Sequence, residues 1–280
     1  MWFLFAVASA LLWSAGTVLM KRGLEHTTPW FNNLLAAVIG LPLNAGVAIL
    51  GGVSLHDFGL SLVLAIATDV GLVLYPYALA KGPVSVTGTL MGCYPIPTIL
   101  LSVFLLGEGL NPLQDAAIGL VLCGVIALSY PVKSALARWR PSWVVWGLLA
   151  ACTLGVADFI AKIGVGEAGV YTFLLALALA QLPSMVVVTL ADRSGRRVPP
   201  MTMGHLLPTI LGTFSMVAGG VTLDLAFAGG EASLVSPVTS SYVGLAAVLA
   251  VALLGERLTP RQAGAVVMTA VGVVVLGAAR

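Results

Sequence analysis

The sequence has little charge, little histidine and little cysteine. Only 9% of its 280 residues are Asp, Glu, Lys or Arg, whereas 59% are hydrophobic. Soluble domains carry about 25% charged residues. A water-soluble fold of this length could not bury so much apolar surface and still keep a charged exterior. The composition therefore predicts an all-α integral membrane protein, with the lipid bilayer as its surroundings.

The scarcity of reactive groups argues against several functional classes. The three histidines are scattered between apolar runs, and no Gly-x-x-x-x-Gly-Lys-Ser/Thr phosphate loop occurs. Cys93, Cys123 and Cys152 lie inside apolar runs without the spacing of a metal site, so we interpret them as small packing residues. With a net charge of +2 and no basic cluster interleaved with aromatics, we expect no nucleic-acid partner, no cofactor, no metal and no enzyme activity.

Ten apolar runs are long enough to cross a bilayer, which takes about 20 residues per helix. Their connectors are short and rich in Gly, Pro and charge, and the chain is rich in Ala, Gly and Val. We therefore expect a multi-pass protein of a bacterial cytoplasmic (inner) membrane. The runs are roughly residues 2–20, 31–51, 59–80, 84–106, 112–131, 143–163, 170–190, 205–228, 233–254 and 260–278.

The chain repeats itself. Residues 105–114 (Leu-Leu-Gly-Glu-Gly-Leu-Asn-Pro-Leu-Gln) match residues 253–262 at seven of ten positions, at an offset of 148. An offset of 141 pairs Lys21 with Lys162, so the halves differ by a short insertion. Each half then holds five helices, and an odd number inverts the second half relative to the first. The sequence predicts two inverted five-helix repeats, over residues 1–132 and 143–280.

The repeated decapeptide has a local interpretation and a functional one. Asn111 or Thr259 can cap the following helix, with Gln114 or Gln262 completing a capping box. The glutamate before each cap then lies in a turn at the membrane surface. The alternative is that this glutamate contacts a substrate.

On these residues the chain resembles the drug/metabolite transporter superfamily, specifically its ten-helix EamA-type members. The Leu-Leu-Gly-Glu-x-Leu-x-Pro-x-Gln segments that close the fourth and ninth runs are similar to that family's most recognisable element. The resemblance implies an alternating-access carrier that leans toward export. It also implies a central cavity lined by runs 1, 3, 4, 6, 8 and 9.

Charge placement departs from the family pattern. Of the 13 Lys and Arg residues, all but Lys162 and Arg280 follow runs 1, 3, 5, 7 and 9. The positive-inside rule then places both termini outside the cytoplasm. Ten-helix relatives generally keep both termini inside, so the orientation stays open.

Several ionisable residues lie within the runs, where each costs about 2.5–3.5 kcal/mol on insertion scales. Asp69, near the centre of run 3, is interpreted as a substrate-binding or coupling acid, or as a structural hydrogen-bond partner. Asp158 and Lys162 are four residues apart and lie on one helix face. They are interpreted either as a self-neutralising pair or as a charged cavity wall. The repeat partners of Asp158 and Lys162 are Thr17 and Lys21. Asp224, near the end of run 8, is a further candidate cavity acid.

Aromatic residues add to the candidate site. Tyr94 and Tyr242 occupy equivalent places in runs 4 and 9, next to Pro95 and Pro97 and near Pro237, which are expected to break these helices. Carriers tend to bind substrate at such breaks. Trp13, deep in run 1, either lines the cavity or packs against a neighbour.

Three functions remain open at this point. A secondary carrier of a small polar metabolite accounts for the repeat and for the buried acids, and an amino acid or amine suits the mixture of acids and lysines. Coupling to a proton or sodium gradient, or facilitated export, would supply the driving force. The alternatives are a lipid translocator or a non-transporting subunit, and then a membrane-embedded transferase. We expect a monomer or a homodimer.

Overall fold

The computed structural model describes residues 1–81, 89–129, 141–193, 202–254 and 259–279, and within these ranges it is helical without strands. Thirteen helices are numbered here in chain order. They are α1 (Trp2–Leu24), α2 (Pro29–Gly51), α3 (Phe58–Leu72), α4 (Leu74–Lys81), α5 (Thr89–Met91), α6 (Pro95–Leu106), α7 (Pro112–Ser129), α8 (Pro141–Ala168), α9 (Val170–Ala191), α10 (Met203–Phe227), α11 (Ala232–Ser240), α12 (Tyr242–Leu254) and α13 (Pro260–Ala278).

These helices account for ten spans, because runs 3, 4 and 9 are each divided in two. Within the described residues, eight stretches are long and apolar enough to cross a membrane, and Pro95–Leu106 and Pro112–Leu128 are shorter apolar helices. The prediction of an all-α membrane protein with about ten spans is therefore confirmed.

The helix starts predicted from the repeated decapeptide are present. The Asn111 side chain accepts from the Gln114 amide (2.9 Å), and the Gln114 side chain accepts from the Asn111 amide (2.9 Å). Thr259 and Gln262 form the same capping box at the start of α13. Each box satisfies backbone N–H groups that the first helical turn leaves unpaired.

Prolines divide runs 3 and 4. Pro76 has no N–H and cannot bond to the carbonyl of Leu72, where α3 ends. Pro95 likewise cannot donate to the carbonyl of Met91, where α5 ends, and that carbonyl accepts from the Tyr94 amide instead (3.1 Å). The expected break of run 4 at its prolines agrees with this geometry.

Run 9 is divided at a different place from the one expected. Pro237 lies inside α11, and the interruption is at Ser241. The hydroxyls of Thr239, Ser240 and Ser241 each bond to the carbonyl three residues earlier, at 3.0, 2.8 and 2.6 Å. These bonds compete with the helical ladder, so a cluster of hydroxyls marks the break.

The helices pack in pairs related by a pseudo-two-fold axis. α1 packs on α10 and α8 packs on α3, while α2 meets α9 and α7 meets α13. At the last contact, a Cβ on Gly124 would meet Thr269, and a Cβ on Gly272 would meet Val121. The two contacts are equivalent, because the offset of 148 pairs Gly124 with Gly272 and Val121 with Thr269. Glycine allows the two backbones to approach closely at both places.

Part of the charge pattern lies outside the described residues. This holds for the basic connector after run 5 and for the second glutamate of the repeated motif. The orientation of the termini, which was inferred from the connector charges, therefore stays a prediction. The residues concerned are Lys133, Arg138, Arg140, Arg196, Arg197, Glu256, Arg257 and Arg280.

Candidate functional site

A cavity of about 190 Å³ lies at the centre of the helix bundle. Its volume is below the 300–1,000 Å³ typical of sites for drug-sized ligands, so it suits a small solute. Six of the nine side chains predicted from the sequence line it: Trp13, Asp69, Tyr94, Asp158, Asp224 and Tyr242.

The other three predicted residues lie behind the cavity wall or at helix ends. The Lys21 ammonium donates to the carbonyl of Leu79 (2.9 Å), and Lys162 donates to the equivalent carbonyl of Phe227 (2.8 Å). Lysines in this position neutralise the carbonyl end of a neighbouring helix. The third residue, Thr17, has its hydroxyl bonded to that of Tyr75 (2.8 Å).

The self-neutralising pair of Asp158 and Lys162, one of the two interpretations from the sequence, is not seen, because the two side chains bond to different partners. Asp158 is 4% exposed and accepts a hydrogen bond from the Ser236 hydroxyl (3.1 Å). Lys162 has a second carbonyl partner in Gly230 (2.7 Å). Of these two residues, only Asp158 lines the cavity. The carboxylate therefore faces the cavity, whereas the ammonium stabilises a helix end.

Two further acids approach the same cavity from other helices. Asp224, on α10, is 5% exposed and close enough to Asp158 for their charges to interact. Asp69, on α3, is half-buried beside Ser184 of α9. Their repeat partners are Pro76 and Val217 at the offset of 148. Neither partner ionises, so the carboxyls break the internal symmetry of the cavity.

Three aromatic rings form one wall. The Trp13 ring centroid lies 6.1 Å from that of Tyr94 and 5.9 Å from that of Tyr242, with interplanar angles of 74° and 85°. Tyr94 caps α6 and Tyr242 begins α12, so both tyrosines are at helix breaks. Both equivalent tyrosines line the cavity, and their contact with a substrate stays a prediction.

The cavity also contains polar residues that sequence reasoning missed. α2 contributes Asn33 and Asn44, α9 contributes Gln181 and Ser184, and α3 contributes Thr68. The resemblance implied a lining by runs 1, 3, 4, 6, 8 and 9, and the structure adds runs 2 and 7. A usable signal was available, because amides are rare inside apolar membrane runs.

The lining of the cavity approaches both ends of the bundle, and Asp224 lies within one turn of the end of α10 at one of them. Its lining includes Asn33, near the start of α2, and Val188, near the end of α9, which lie at the same end because the helices alternate in direction. At the opposite end, the Glu108 carboxylate accepts hydrogen bonds from the amides of Ala232 (2.9 Å) and Ser233 (2.8 Å). Glu108 thus joins the first repeat to the start of α11 in the second.

This contact gives the first Leu-Leu-Gly-Glu segment a structural role. Gly107 ends α6 with φ 68°, a left-handed conformation that glycine adopts without strain. The turn directs Glu108 at the N-terminus of α11, where an anion is favoured. The structure thus gives Glu108 a partner that neither interpretation foresaw, the start of α11 in the other repeat. Glu256, its repeat partner, lies outside the described residues.

A lateral groove of about 730 Å³ lies between α3, α4, α8 and α9. Its walls include the exposed side chains of Val70, Val156 and Val187. It shares Val73 and Val188 with the central cavity. The groove is therefore adjacent to the cavity and opens toward the surface that lipid would cover.

Sequence comparison assigns the chain to a family. The model of the EamA-like transporter family matches residues 1–130 and residues 141–278, one match in each half. The chain belongs to the EamA-like transporter family. It is thus a membrane transporter of the drug/metabolite transporter superfamily, and the resemblance noted in the repeated motif is confirmed.

Structural comparison supports the fold independently. One solved crystal structure, 20% identical in sequence, superposes with a TM-score of 0.79 over 97% of this chain and 94% of that chain. At this identity the likeness concerns the fold alone. Among curated proteins, none matches the sequence significantly.

Proposed function

We propose that this transporter carries a small amine cation across the cytoplasmic membrane by alternating access, with export as the direction that the family resemblance implies. The observation that carries the proposal is the charge of the cavity. Asp69, Asp158 and Asp224 line it, and none of its described lining residues is Lys, Arg or His. A cation would offset the cost of keeping carboxylates at membrane depth.

The position of the lysines favours an amine over an amino acid. From the sequence, Lys21 and Lys162 could have bound the carboxylate of a zwitterion. Both ammonium groups instead bond to backbone carbonyls at helix ends. A substrate carboxylate would have to rely on neutral donors such as the amides of Asn33 and Gln181, which bind anions less strongly than a charged group.

Alternating access is supported by the symmetry of the scaffold. The pseudo-two-fold packing relates the two halves, and Glu108 joins them at one end of the bundle. Exchanging the conformations of two inverted halves would move an opening from one end to the other. We further propose that a proton or sodium gradient drives transport through Asp69, whose carboxyl is the least buried of the three.

Uptake into proteoliposomes tests the proposal. Labelled amines and amino acids would be offered with and without a proton or sodium gradient, using the natural protein and Asp158→Asn. We expect accumulation of an amine and its loss in Asp158→Asn. Asp115→Asn is the matched control, because Asp115 is exposed in the first turn of α7 and outside the cavity. Amino acids carried in preference to every amine would contradict the assignment.

The lateral groove favours one second candidate, a lipid translocator. Its exposed apolar walls and the two residues that it shares with the cavity would give a lipid a lateral path from the bilayer into the cavity. Movement of a fluorescent phospholipid between leaflets of vesicles, abolished by Val73→Trp, would support this function. Amine uptake without lipid movement would rule it out.

A further inference from the structure

A group of side-chain oxygens lies in the cavity wall where α3 packs on α9. α3 contributes Thr68 and Asp69, and α9 contributes Gln181 and Ser184. The Asp69 carboxyl lies beside the Ser184 hydroxyl. Gln181 is on the same face of α9, three residues before Ser184. These four side chains, called here the oxygen cluster, bring one carboxylate, two hydroxyls and one amide to one part of the cavity.

The neutral oxygens of the cluster have no hydrogen-bond partner among the described residues. This holds for Thr68 Oγ1, Gln181 Oε1 and Ser184 Oγ, and all three atoms are buried. The Thr68 and Ser184 residues are only 4% and 2% exposed. Buried polar atoms without a partner are uncommon in native proteins, and a bound ion is one reason for them.

The two hydroxyls also differ from other hydroxyls in the helices of this protein. A Ser or Thr hydroxyl inside a helix can bond to a carbonyl three or four residues earlier. Thr222 and Thr269 do so, at 2.9 and 3.0 Å. Thr68 and Ser184 make no such bond. Neither hydroxyl is engaged by its own helix, so both can serve a ligand in the cavity.

The oxygen cluster is confined to one side of the pseudo-two-fold axis. The offset of 148 relates α3 to α10, and the offset of 141 relates α2 to α9. At these offsets the partners of the four side chains carry no side-chain oxygen; they are Met216, Val217, Gly40 and Leu43. Scaffold contacts recur in both halves, as the carbonyl contacts of Lys21 and Lys162 do. A cluster without such a counterpart is typical of ligand recognition.

The chemistry of the cluster suits a small hard cation. Carboxylate, hydroxyl and amide oxygens are the ligands that such cations prefer. Asp69 is the single acid of the cluster, so its charge balances a monovalent ion. The other two acids of the cavity, Asp158 and Asp224, interact with each other and would hold the amine. Three carboxylates in one cavity can thus accommodate both an ion and an amine.

We propose that the oxygen cluster of Thr68, Asp69, Gln181 and Ser184 is a sodium-binding site, through which a sodium gradient is coupled to amine transport. This rests on the proposed function, since it names the coupling ion and gives that ion a place separate from the amine. With four protein side chains as ligands, the site favours sodium over the larger potassium ion, which requires more ligands.

Equilibrium binding of radioactive Na⁺ to the full chain in lipid nanodiscs tests the site in the absence of any amine. Potassium chloride keeps the ionic strength constant and serves as the competing salt. We expect saturable binding of Na⁺, with K⁺ competing at least about tenfold less well. Thr68→Val and Ser184→Ala each remove one hydroxyl and should weaken Na⁺ binding by about tenfold or more. Asp69→Asn should abolish it.

Two matched controls remove buried hydroxyls elsewhere in the bundle. Thr213→Val is the control for Thr68→Val, and Ser102→Ala is the control for Ser184→Ala. Both control hydroxyls are likewise buried without a partner among the described residues, and neither lines the cavity. Both control variants should bind Na⁺ with the affinity of the natural protein. Equal weakening in the controls would contradict the assignment of the cluster.

The outcomes separate the sodium site from the proposed function. Absence of saturable Na⁺ binding, equal competition by K⁺, or full affinity in Asp69→Asn would overturn the site, and amine uptake driven by a proton gradient would leave the proposed function standing. Saturable Na⁺ binding without amine uptake in proteoliposomes would overturn the proposed function and leave the site. The titration of the natural protein with Na⁺ against K⁺ decides between these outcomes even if a variant does not fold.

Discussion

Glu108 connects the two halves of the chain, and we expect its removal to loosen the start of α11. Its two carboxylate oxygens bond to the amides of Ala232 and Ser233, at 2.9 and 2.8 Å. The substitution Glu108→Ala would leave both amides without this partner. Glu108→Gln keeps one acceptor oxygen and should have an intermediate effect.

The magnitude follows from the two bonds and their surroundings. A hydrogen bond to a charged group contributes about 1.5–3 kcal/mol. Glu108 is half-buried, so water can replace part of each bond in the variant. We therefore expect the free energy of local opening at the start of α11 to fall by about 2 kcal/mol. With about 1.4 kcal/mol for each factor of ten, amide exchange there should accelerate by roughly 30-fold.

Hydrogen–deuterium exchange read by mass spectrometry, with the protein in nanodiscs, measures this opening directly. The peptide to follow is residues 232–240. Asp115→Ala is the matched control, because it removes an exposed acid in the first turn of α7, after the same decapeptide. Unchanged exchange in Glu108→Ala, or equal acceleration in Asp115→Ala, would refute the idea that this carboxylate holds the two halves together.

Three further predictions concern ionisable groups. Asp69→Asn should abolish gradient-driven uptake in proteoliposomes while the melting temperature in detergent stays nearly unchanged; full uptake would exclude a coupling role. Lys162→Met should lower the free energy of unfolding by about 1–3 kcal/mol, because two carbonyls, including that of Gly230, lose their donor; unchanged thermal stability would show that water replaces the lysine. Partial burial, and to a smaller extent the Glu108 carboxylate, raise the pKa of the Glu231 carboxyl. The folded form then binds the proton more tightly than the unfolded form, so the free energy of unfolding should fall as pH rises from the ordinary carboxyl pKa through the raised one. Glu231→Gln should remove that dependence in melting curves taken between these pH values.

Much of the fold could be predicted because it depends on local composition. Ten apolar runs of bilayer length, the repeated decapeptide and its caps are visible in consecutive residues. Each run contains a described helix, and a capping box starts both α7 and α13. The break of run 9 was misplaced at Pro237, because the hydroxyl bonds that compete with the ladder near Ser241 depend on side-chain rotamers rather than on proline alone.

The candidate site was less predictable because its members come from distant segments. Asp158 and Lys162 are close in sequence, yet one faces the cavity and the other a helix end. The amides of Asn33 and Gln181 were passed over because they belong to runs that the family resemblance did not include. Which polar side chains face a common cavity depends on helix rotation and packing, and both are set by neighbours far along the chain.

The sequence by itself determined that the protein is embedded in a lipid bilayer, that it has two inverted halves, and that several acids lie at membrane depth. Each of these follows from hydrophobicity, spacing or repetition along the chain. Only the tertiary structure decided that the acids share a cavity without the lysines, that Trp13 meets two tyrosines there, and that Glu108 bonds to α11. Those contacts join residues far apart in the chain, as between Trp13 and Tyr242. Their energies arise only after the helices have packed, so no local pattern in the chain records them.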